Sequence, residues 1–293
     1  MTPRFTVVVP TFARPERLAA CLDALARVES PQGGFEVVVV DDGGGVPLGS
    51  ALEAVRGRLD VTLVETSHAG PAAARNAGAA RARAPLLAFT DDDCLADRAW
   101  LRAMDAALTL DADLLAGGRT LNGLPENPFS SASQALLDYL YAYYNAAPED
   151  ARFFASNNVA VSHRRFERIG GFDAAFPLAA GEDRDLCDRQ RHAGGRLAFV
   201  PGAVVTHCHR LGLAGFVRQH FNYGRGARRF HERRAARRGE PFRVEPPRFY
   251  LDLLRHPFRA ARGRRAAGLL ALTVVAQAAN AAGFVRGAPG RIA

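Results

Sequence analysis

The sequence predicts an α/β protein: a doubly wound, mostly parallel sheet flanked by helices, followed by a basic helical C-terminal extension. Short β-branched runs alternate with helix-patterned segments through the first 120 residues, the order that builds a doubly wound sheet. Those runs are nearly continuously apolar, as expected of parallel strands covered on both faces. Charge divides the chain, with 18 arginines against 4 acids from His207 onward and 20 against 26 before it.

The elements follow in order. Phe5 to Val9 reads as the first strand. Pro15 to Val28 places Leu18, Cys21, Leu22, Leu25 and Val28 at helical spacing behind a proline suited to a first turn. Phe35 to Val40, Val61 to Val64 and Leu86 to Phe89 are further strands; helices open at Pro71, running to Ala84, and after Asp97. Past Gly117-Gly118 the rhythm changes to a helix over Ser130 to Tyr144, with four tyrosines, and strands over Phe153 to Val161 and Leu197 to Val205 around a helix from Asp183 to Ala193. Beyond Arg210 the pattern is helical, broken at Gly239, Pro241, Pro246 and Pro247.

Composition excludes several classes. At 48% hydrophobic and 23% charged the 293 residues are not a disordered segment. All 38 basic residues are arginines, and the net charge of +8 is consistent with polyanion or membrane-surface contact. Cys21, Cys94, Cys187 and Cys208 form no CxxC pair, so a zinc knuckle or redox motif is not expected and a reduced, cytoplasmic setting is. Phe5 to Val9 is too short for the apolar core of an export signal. The uncharged stretch Ala266 to Val285 is broken by Thr273, Gln277, Asn280 and Gly283, which favours a packed or interfacial helix over a span.

Acids cluster where the apolar runs end: Asp41 and Asp42 after the second strand, Asp91, Asp92 and Asp93 after the fourth, with Pro10, Thr11 and Arg14 ending the first. In a parallel sheet these ends share one edge. So many carboxylates in one cleft require a cation or hydrogen-bond donors, and Asp91 to Asp93 suit Mg²⁺ or Mn²⁺ bridging to a nucleoside diphosphate. The helix opened by Gly70-Pro71 brings backbone N–H groups and Arg75 toward the same phosphates, with Asn76 beside it. No Walker A or GxGxxG sequence occurs, which argues against a P-loop NTPase or a Rossmann dehydrogenase. Glu182, Asp183 and Asp185 open a helix in greater number than a cap needs, and Asp183 is the candidate general base for displacement at an anomeric carbon. His207 and His209 share a strand face, and His207 is a candidate metal ligand or diphosphate donor.

With these residues in hand, the chain resembles the family 2 glycosyltransferases, inverting enzymes of the GT-A fold. The likeness covers about residues 5 to 210 and rests on ordered motifs: Val7 to Phe12 (VVVPTF), Val38 to Gly43 (VVVDDG), Gly70 to Gly78 (GPAAARNAG), Phe89 to Asp93 (FTDDD), Gly170 to Asp173 (GGFD), Gly181 to Asp183 (GED), and Val200-Pro201 leading to His207. The resemblance implies that Pro10, Thr11, Phe12, Arg14 and Asp42 line the nucleoside pocket, with Arg75 and Asn76 beside the nucleotide and Asn158 toward the donor sugar. It implies that Asp91, Asp92 and Asp93 hold ribose and a divalent cation, Mn²⁺ or Mg²⁺, with His207, and that Asp183 is the catalytic base. It sets Gly171, Phe172, Asp173 and Glu182 on the acceptor side. The matching division is a GT-A domain over 1–210, with a nucleotide-binding half to about 120 and an acceptor half from 121, and an extension over 211–293. The processive QxxRW motif is absent, since Gln190 precedes Arg191, His192, Ala193 and Gly194; single sugar additions are therefore expected.

The implied partners are a nucleotide-diphosphate sugar donor and a glycan or lipid-linked acceptor, with a role in envelope glycan synthesis. Arginines interleaved with Phe216, Phe221, Tyr223 and Phe230 suit an anionic membrane surface or a lipid-linked pyrophosphate, which places the protein peripherally on the inner face of the cytoplasmic membrane. Nucleic acid is not expected, because no recognition motif accompanies the charge. Two rival readings are a nucleotidyltransferase, which would carry a glycine- and basic-rich loop where Thr11 to Pro15 stands, and a non-catalytic scaffold binding envelope polymers, which would tolerate loss of Asp183.

Overall fold

Valine runs with side chains alternating to two covered faces build the centre of the sheet. The computed structural model describes residues 2–242 and 244–287, so Arg243 and residues 288–293 of the extension lie outside the described residues. In chain order the elements are β1 (Phe5–Thr11), α1 (Pro15–Leu25), β2 (Phe35–Asp41), α2 (Gly49–Glu53), β3 (Val61–Glu65), α3 (Pro71–Ala79), β4 (Leu86–Phe89), β5 (Cys94–Ala96), α4 (Trp100–Leu110), β6 (Leu115–Asn122) and α5 (Pro128–Tyr144). They continue with β7 (Val159–Ser162), α6 (His163–Arg168), α7 (Glu182–His192), β8 (Leu197–His207), α8 (Leu213–Arg238), α9 (Pro247–Arg255), α10 (Pro257–Ala260) and α11 (Gly263–Arg286). Val7, Val9, Val37 and Val39 pack on one face with Leu18, Leu22 and Trp100, and Val8, Val38 and Val40 pack on the other with Ala72 and Ala74 of α3.

The sheet order is β3-β2-β1-β4-β7-β6-β8-β5. Its first four strands are parallel, as the sequence predicts. The rest is mixed, with β7 antiparallel to β4 and β6, β8 parallel to β6, and β5 antiparallel to β8. The expected strand over Phe153 to Val161 is shorter. The Asn145 amide oxygen accepts from the backbone N–H of Arg152 and Phe153, and a 3₁₀ turn over Ser156–Asn158 delays pairing until Val159. Strand β6 is unforeseen because its centre is Gly117-Gly118; the Phe154 ring and the backbone of Ala203 stand where side chains would project.

The extension packs on the sheet-bearing body through small residues. Gly224 meets the backbone of Asn280, Gly283 meets that of Phe221, and Gly226 lies against Ala180. This close approach brings α11 onto α8 and α8 behind the start of α7. Helix α11 buries the stripe Ala266, Leu269, Thr273, Ala276, Ala279 and Gly283. By length and composition it could also cross a membrane, and 28% of its most apolar window is buried. Many of the arginines face the acidic body: Arg237 pairs with Asp185 at 2.6 Å, Arg238 with Asp188 at 2.6 Å and Arg233 with Asp173 at 3.3 Å. The opposed charges read from the sequence therefore meet at one place, where α8 passes α7 and Asp173.

Candidate active site

Parallel pairing brings the ends of β1, β2 and β4 to one edge, and three consecutive aspartates leave β4 there in different directions. Asp91 lies 2.7 Å from Arg75. Asp92 is fully buried, accepts a 2.7 Å hydrogen bond from the Thr11 hydroxyl and lies 2.9 Å from Arg14. Burial pushes its carboxyl up to about 7 against the pull of Arg14. Asp92 thus braces β1 against β4, its carboxylate engaged by Thr11 and Arg14. Asp93 turns toward β8.

The antiparallel pairing of Cys94 with His207 sets the Asp93 carboxylate 3.1 Å from His207 Nε2. Burial raises the Asp93 carboxyl, but the His207 hydrogen bond and charge, with Arg14, outweigh it and hold the group well below the usual carboxylate range. Burial opposes protonation of His207, yet Asp93 and Asp91 leave its imidazole raised. Ligand atoms of Asp93, Cys94 and His207 lie within 4.8 Å of one another. Burial raises the Cys94 thiol and keeps it protonated, so carboxylate and imidazole are the available donors. This pair fits a small divalent cation with open positions for water and phosphate. The His209 ring stacks on His207 at 4.0 Å with both nitrogens unpartnered, and burial followed by the His207 charge lowers it to about 3.

The acids at the start of α7 also separate. The N-cap is Gly181, whose φ of 89° and the Gly226 carbonyl oxygen, 2.9 Å from where a Cβ would stand, exclude a side chain, and no acid caps the helix from that position. Glu182 is buried and accepts from Arg75 at 3.1 Å. Burial and then Asp183 raise it to about 7, against the pull of Arg75. Asp185 is held by Arg189 and Arg237. Asp183 has no ion-pair partner among the described residues; its Oδ1 accepts only the neighbouring Arg184 N–H at 2.7 Å. Burial raises its carboxyl. Asp91, Arg75, Glu182, Asp183, His207 and His209 line one cleft of about 280 Å³.

On the nucleoside side, Phe12 is 42% exposed and packs against His68 with ring centres 4.4 Å apart and the rings tilted by 33°, just past β1. Ala13 and His68 beside it both adopt positive φ, a backbone conformation that costs energy for a residue with a side chain. Pro10 is buried within β1 and shapes the strand end without reaching solvent. Arg14 stands 40% exposed above Asp92 and Asp93.

Several expected contacts are occupied by the protein itself. Asp42 accepts from the Thr66 hydroxyl and from the Ala69 and Gly70 N–H groups at 2.8–2.9 Å. It shapes the pocket wall, and those two amides are not free for phosphate. Asn76 donates to the Phe172 carbonyl at 2.7 Å and accepts from its N–H at 2.9 Å, so both ends of its amide are engaged in clamping a turn. Asn158 accepts from the Trp100 indole at 2.8 Å and donates to Arg119 and Ala203 carbonyls, which fixes it in the core away from any donor sugar. Phe172 is buried against Phe89 and Phe166, Gly171 packs on Asn76, and Asp173 pairs with Arg233. None of these three lines the cleft, so of the expected acceptor-side residues only Glu182 does. Ser133, Gln134, Gln219 and Tyr223 line it instead. Their only signal in the sequence is Tyr223-Gly224-Arg225-Gly226, whose glycines seat α8 against the cleft.

A sheet of this order, with an acidic strand end, a facing histidine and an acid-opened helix around one cleft, defines a glycosyltransferase of the GT-A fold. Residues 6–170 match the family described as glycosyl transferase family 2. The chain belongs to that family. It is 32% identical over 228 residues to the pre-mycofactocin glycosyltransferase of Mycobacterium tuberculosis, covering 76% of this chain and 46% of that protein. It is 24% identical to glycosyltransferase AglE of Haloferax volcanii, covering 76% and 73%. The chain thus spans about half the length of the mycobacterial relative. Among solved structures, mannosyltransferase PcManGT from Pyrobaculum calidifontis, in complex with GDP-Man and Mn²⁺, superposes with a TM-score of 0.66 at 21% identity, covering 98% of this chain and 87% of its own. S. aureus TarS 1–349 in complex with UDP-GlcNAc gives 0.54 at 20% identity, covering 96% and 89%. These two share the fold.

Proposed function

We propose that the chain transfers a single sugar from a nucleotide-diphosphate donor to an acceptor hydroxyl with inversion, in the synthesis of an envelope polysaccharide or glycolipid. The observation that carries this is Asp183: a carboxylate without an ion-pair partner among the described residues, its pKa raised by burial, in the same cleft as Asp91 and His207. A base with a raised pKa takes a hydroxyl proton more readily near neutral pH. The acceptor O–H gives its proton to Asp183 as its oxygen bonds to the anomeric carbon. The bond from that carbon to the diphosphate breaks, and its electron pair leaves with the diphosphate. Attack opposite the leaving group inverts the centre.

Asp93 and His207 would hold the divalent cation, with Asp91 alongside. A bound cation supplies positive charge that stabilises the departing diphosphate. Phe12 and His68 offer an aromatic platform for the base, and Thr11, Arg14 and Asp42 set its rim. Arg75 holds Asp91 and Glu182 in place between donor and acceptor. We take 1–210 as the catalytic domain and 211–293 as the extension. Reaction at the cytoplasmic face agrees with four free cysteines, and the exposed Val274, Val275 and Val285 of α11 suit peripheral membrane contact.

Calorimetric titration with UDP, GDP, dTDP and CDP, each with Mn²⁺ and with EDTA, tests the reading. Metal-dependent binding of one nucleotide, lost in Asp93→Asn and in His207→Ala, is expected. Binding of none of the four would overturn it in favour of the scaffold.

A further inference from the structure

The cleft does not end at the catalytic residues. Beyond Asp183 and His207 it continues between α5, α9 and α11, where apolar side chains of α5 and α9 face Gln277, Asn280 and Phe284 of α11. Leu136, Leu137 and Leu140 of α5 stand half-buried there beside Phe249 and Leu253 of α9. Leu140 follows Leu136 by one helical turn, so both present the same face. Ser133 lies one turn before Leu137, and its hydroxyl is buried without a partner, as are Glu182 Oε2 and both His209 nitrogens. The unpartnered polar atoms are suited to hydroxyls, and the leucines beyond them to hydrocarbon.

We infer that the acceptor is amphipathic: its reacting hydroxyl lies on a polar head at Asp183, and an apolar body joined to that head occupies the leucine-lined part of the cleft. This rests on the glycosyltransferase reading and names its acceptor class. The argument is continuity. A hydroxyl delivered to Asp183 enters the same cavity that the leucines line, so whatever is attached to it meets them. Arg184 of α7 closes part of this space by its 2.9 Å hydrogen bond to the Tyr144 hydroxyl, with Glu245 accepting from Tyr144 at 2.7 Å. Burying hydrocarbon there is favourable in proportion to the area removed from water.

The test uses methyl, butyl, octyl and phenyl β-glucosides below their micelle concentrations, titrated into the full chain saturated with the nucleotide it binds and Mn²⁺. Affinity is expected to rise about fourfold per methylene from methyl to butyl, and to level off when the cleft is full. Octyl binding well above phenyl assigns a lipid chain, and equal binding assigns a compact aglycone; both support the inference. Leu137→Gln is expected to remove the length dependence while nucleotide affinity stays unchanged, and Leu140→Gln serves if the first variant does not fold. Affinity independent of chain length, or a length dependence that survives the folded variant, overturns the inference while the glycosyltransferase reading stands. Absence of nucleotide binding overturns both.

Discussion

Replacing Arg75 with methionine removes the one guanidinium that bridges Asp91 and Glu182 inside the protein. Arg75 is 2% exposed, and burial opposes its charge while the two acids more than compensate. Removing one partner of a buried ion pair typically costs about 3 to 5 kcal/mol, since a charge is left uncompensated. The loss should depend on pH. Glu182 already titrates near 7, pushed up by burial and Asp183, so at pH 5.5 it is protonated with or without Arg75, and the variant loses mainly hydrogen bonds and the partner of Asp91. A carboxyl raised in the folded state destabilises above its unfolded pKa, and the penalty grows until pH reaches the folded value. Without Arg75 that value rises further, so the penalty continues to grow above pH 7. The expected destabilisation is about 3 kcal/mol at pH 8, a fall in Tm of roughly 6 to 12 °C for a chain of this size, and less than half of that at pH 5.5. Calorimetric unfolding of the wild type, Arg75→Met and Arg75→Met/Glu182→Gln at both pH values measures it. Equal losses at the two pH values, or no recovery on neutralising Glu182 at pH 8, would refute the argument.

Asp183→Asn should lower turnover by about 10²- to 10⁴-fold with nucleotide affinity unchanged in calorimetry, and the acid limb of the wild-type rate profile should lie above the ordinary carboxylate range because burial raises Asp183. His220 is 1% exposed with both nitrogens unpartnered, and burial lowers it to about 4. Its neutral form contributes stability that is complete above pH 6.5 and is lost as pH falls toward 4, on the order of 3 kcal/mol. His220→Phe should flatten that part of the stability profile in denaturant melts. Gly224→Val drives a side chain into the Asn280 backbone and should cost about 1–3 kcal/mol; limited trypsin digestion should then cut at Arg264 and Arg265 faster than in the wild type while residues 1–210 persist.

The parallel half of the sheet was legible because each strand is a continuous run of β-branched residues that can be covered only between two layers of helix. The acids after β2 and β4 were legible for a related reason, since a buried strand tolerates charge only where it ends. What each acid does was not. Asp91, Asp92 and Asp93 are adjacent and chemically identical, and the three-residue strand β5 turns one of them to His207 while Thr11 and Arg14 take another inward. Asn76 and Asn158 looked like ligand contacts because an exposed amide and a core clamp have the same side chain, and only their hydrogen-bond partners distinguish them. The glycines of β6 and α8 gave no local signal, since their reason is a backbone that arrives from elsewhere in the chain. By itself the sequence determined the strands of the first half and their parallel, doubly wound class, the edge where charge collects and the family. Tertiary structure alone decided which carboxylates stay unpaired, that Arg233, Arg234, Arg237 and Arg238 of the tail pair with acids of the body, and that a partly apolar chamber opens beside the candidate base. Burial and pairing depend on residues far apart in the chain, and local pattern carries no record of them.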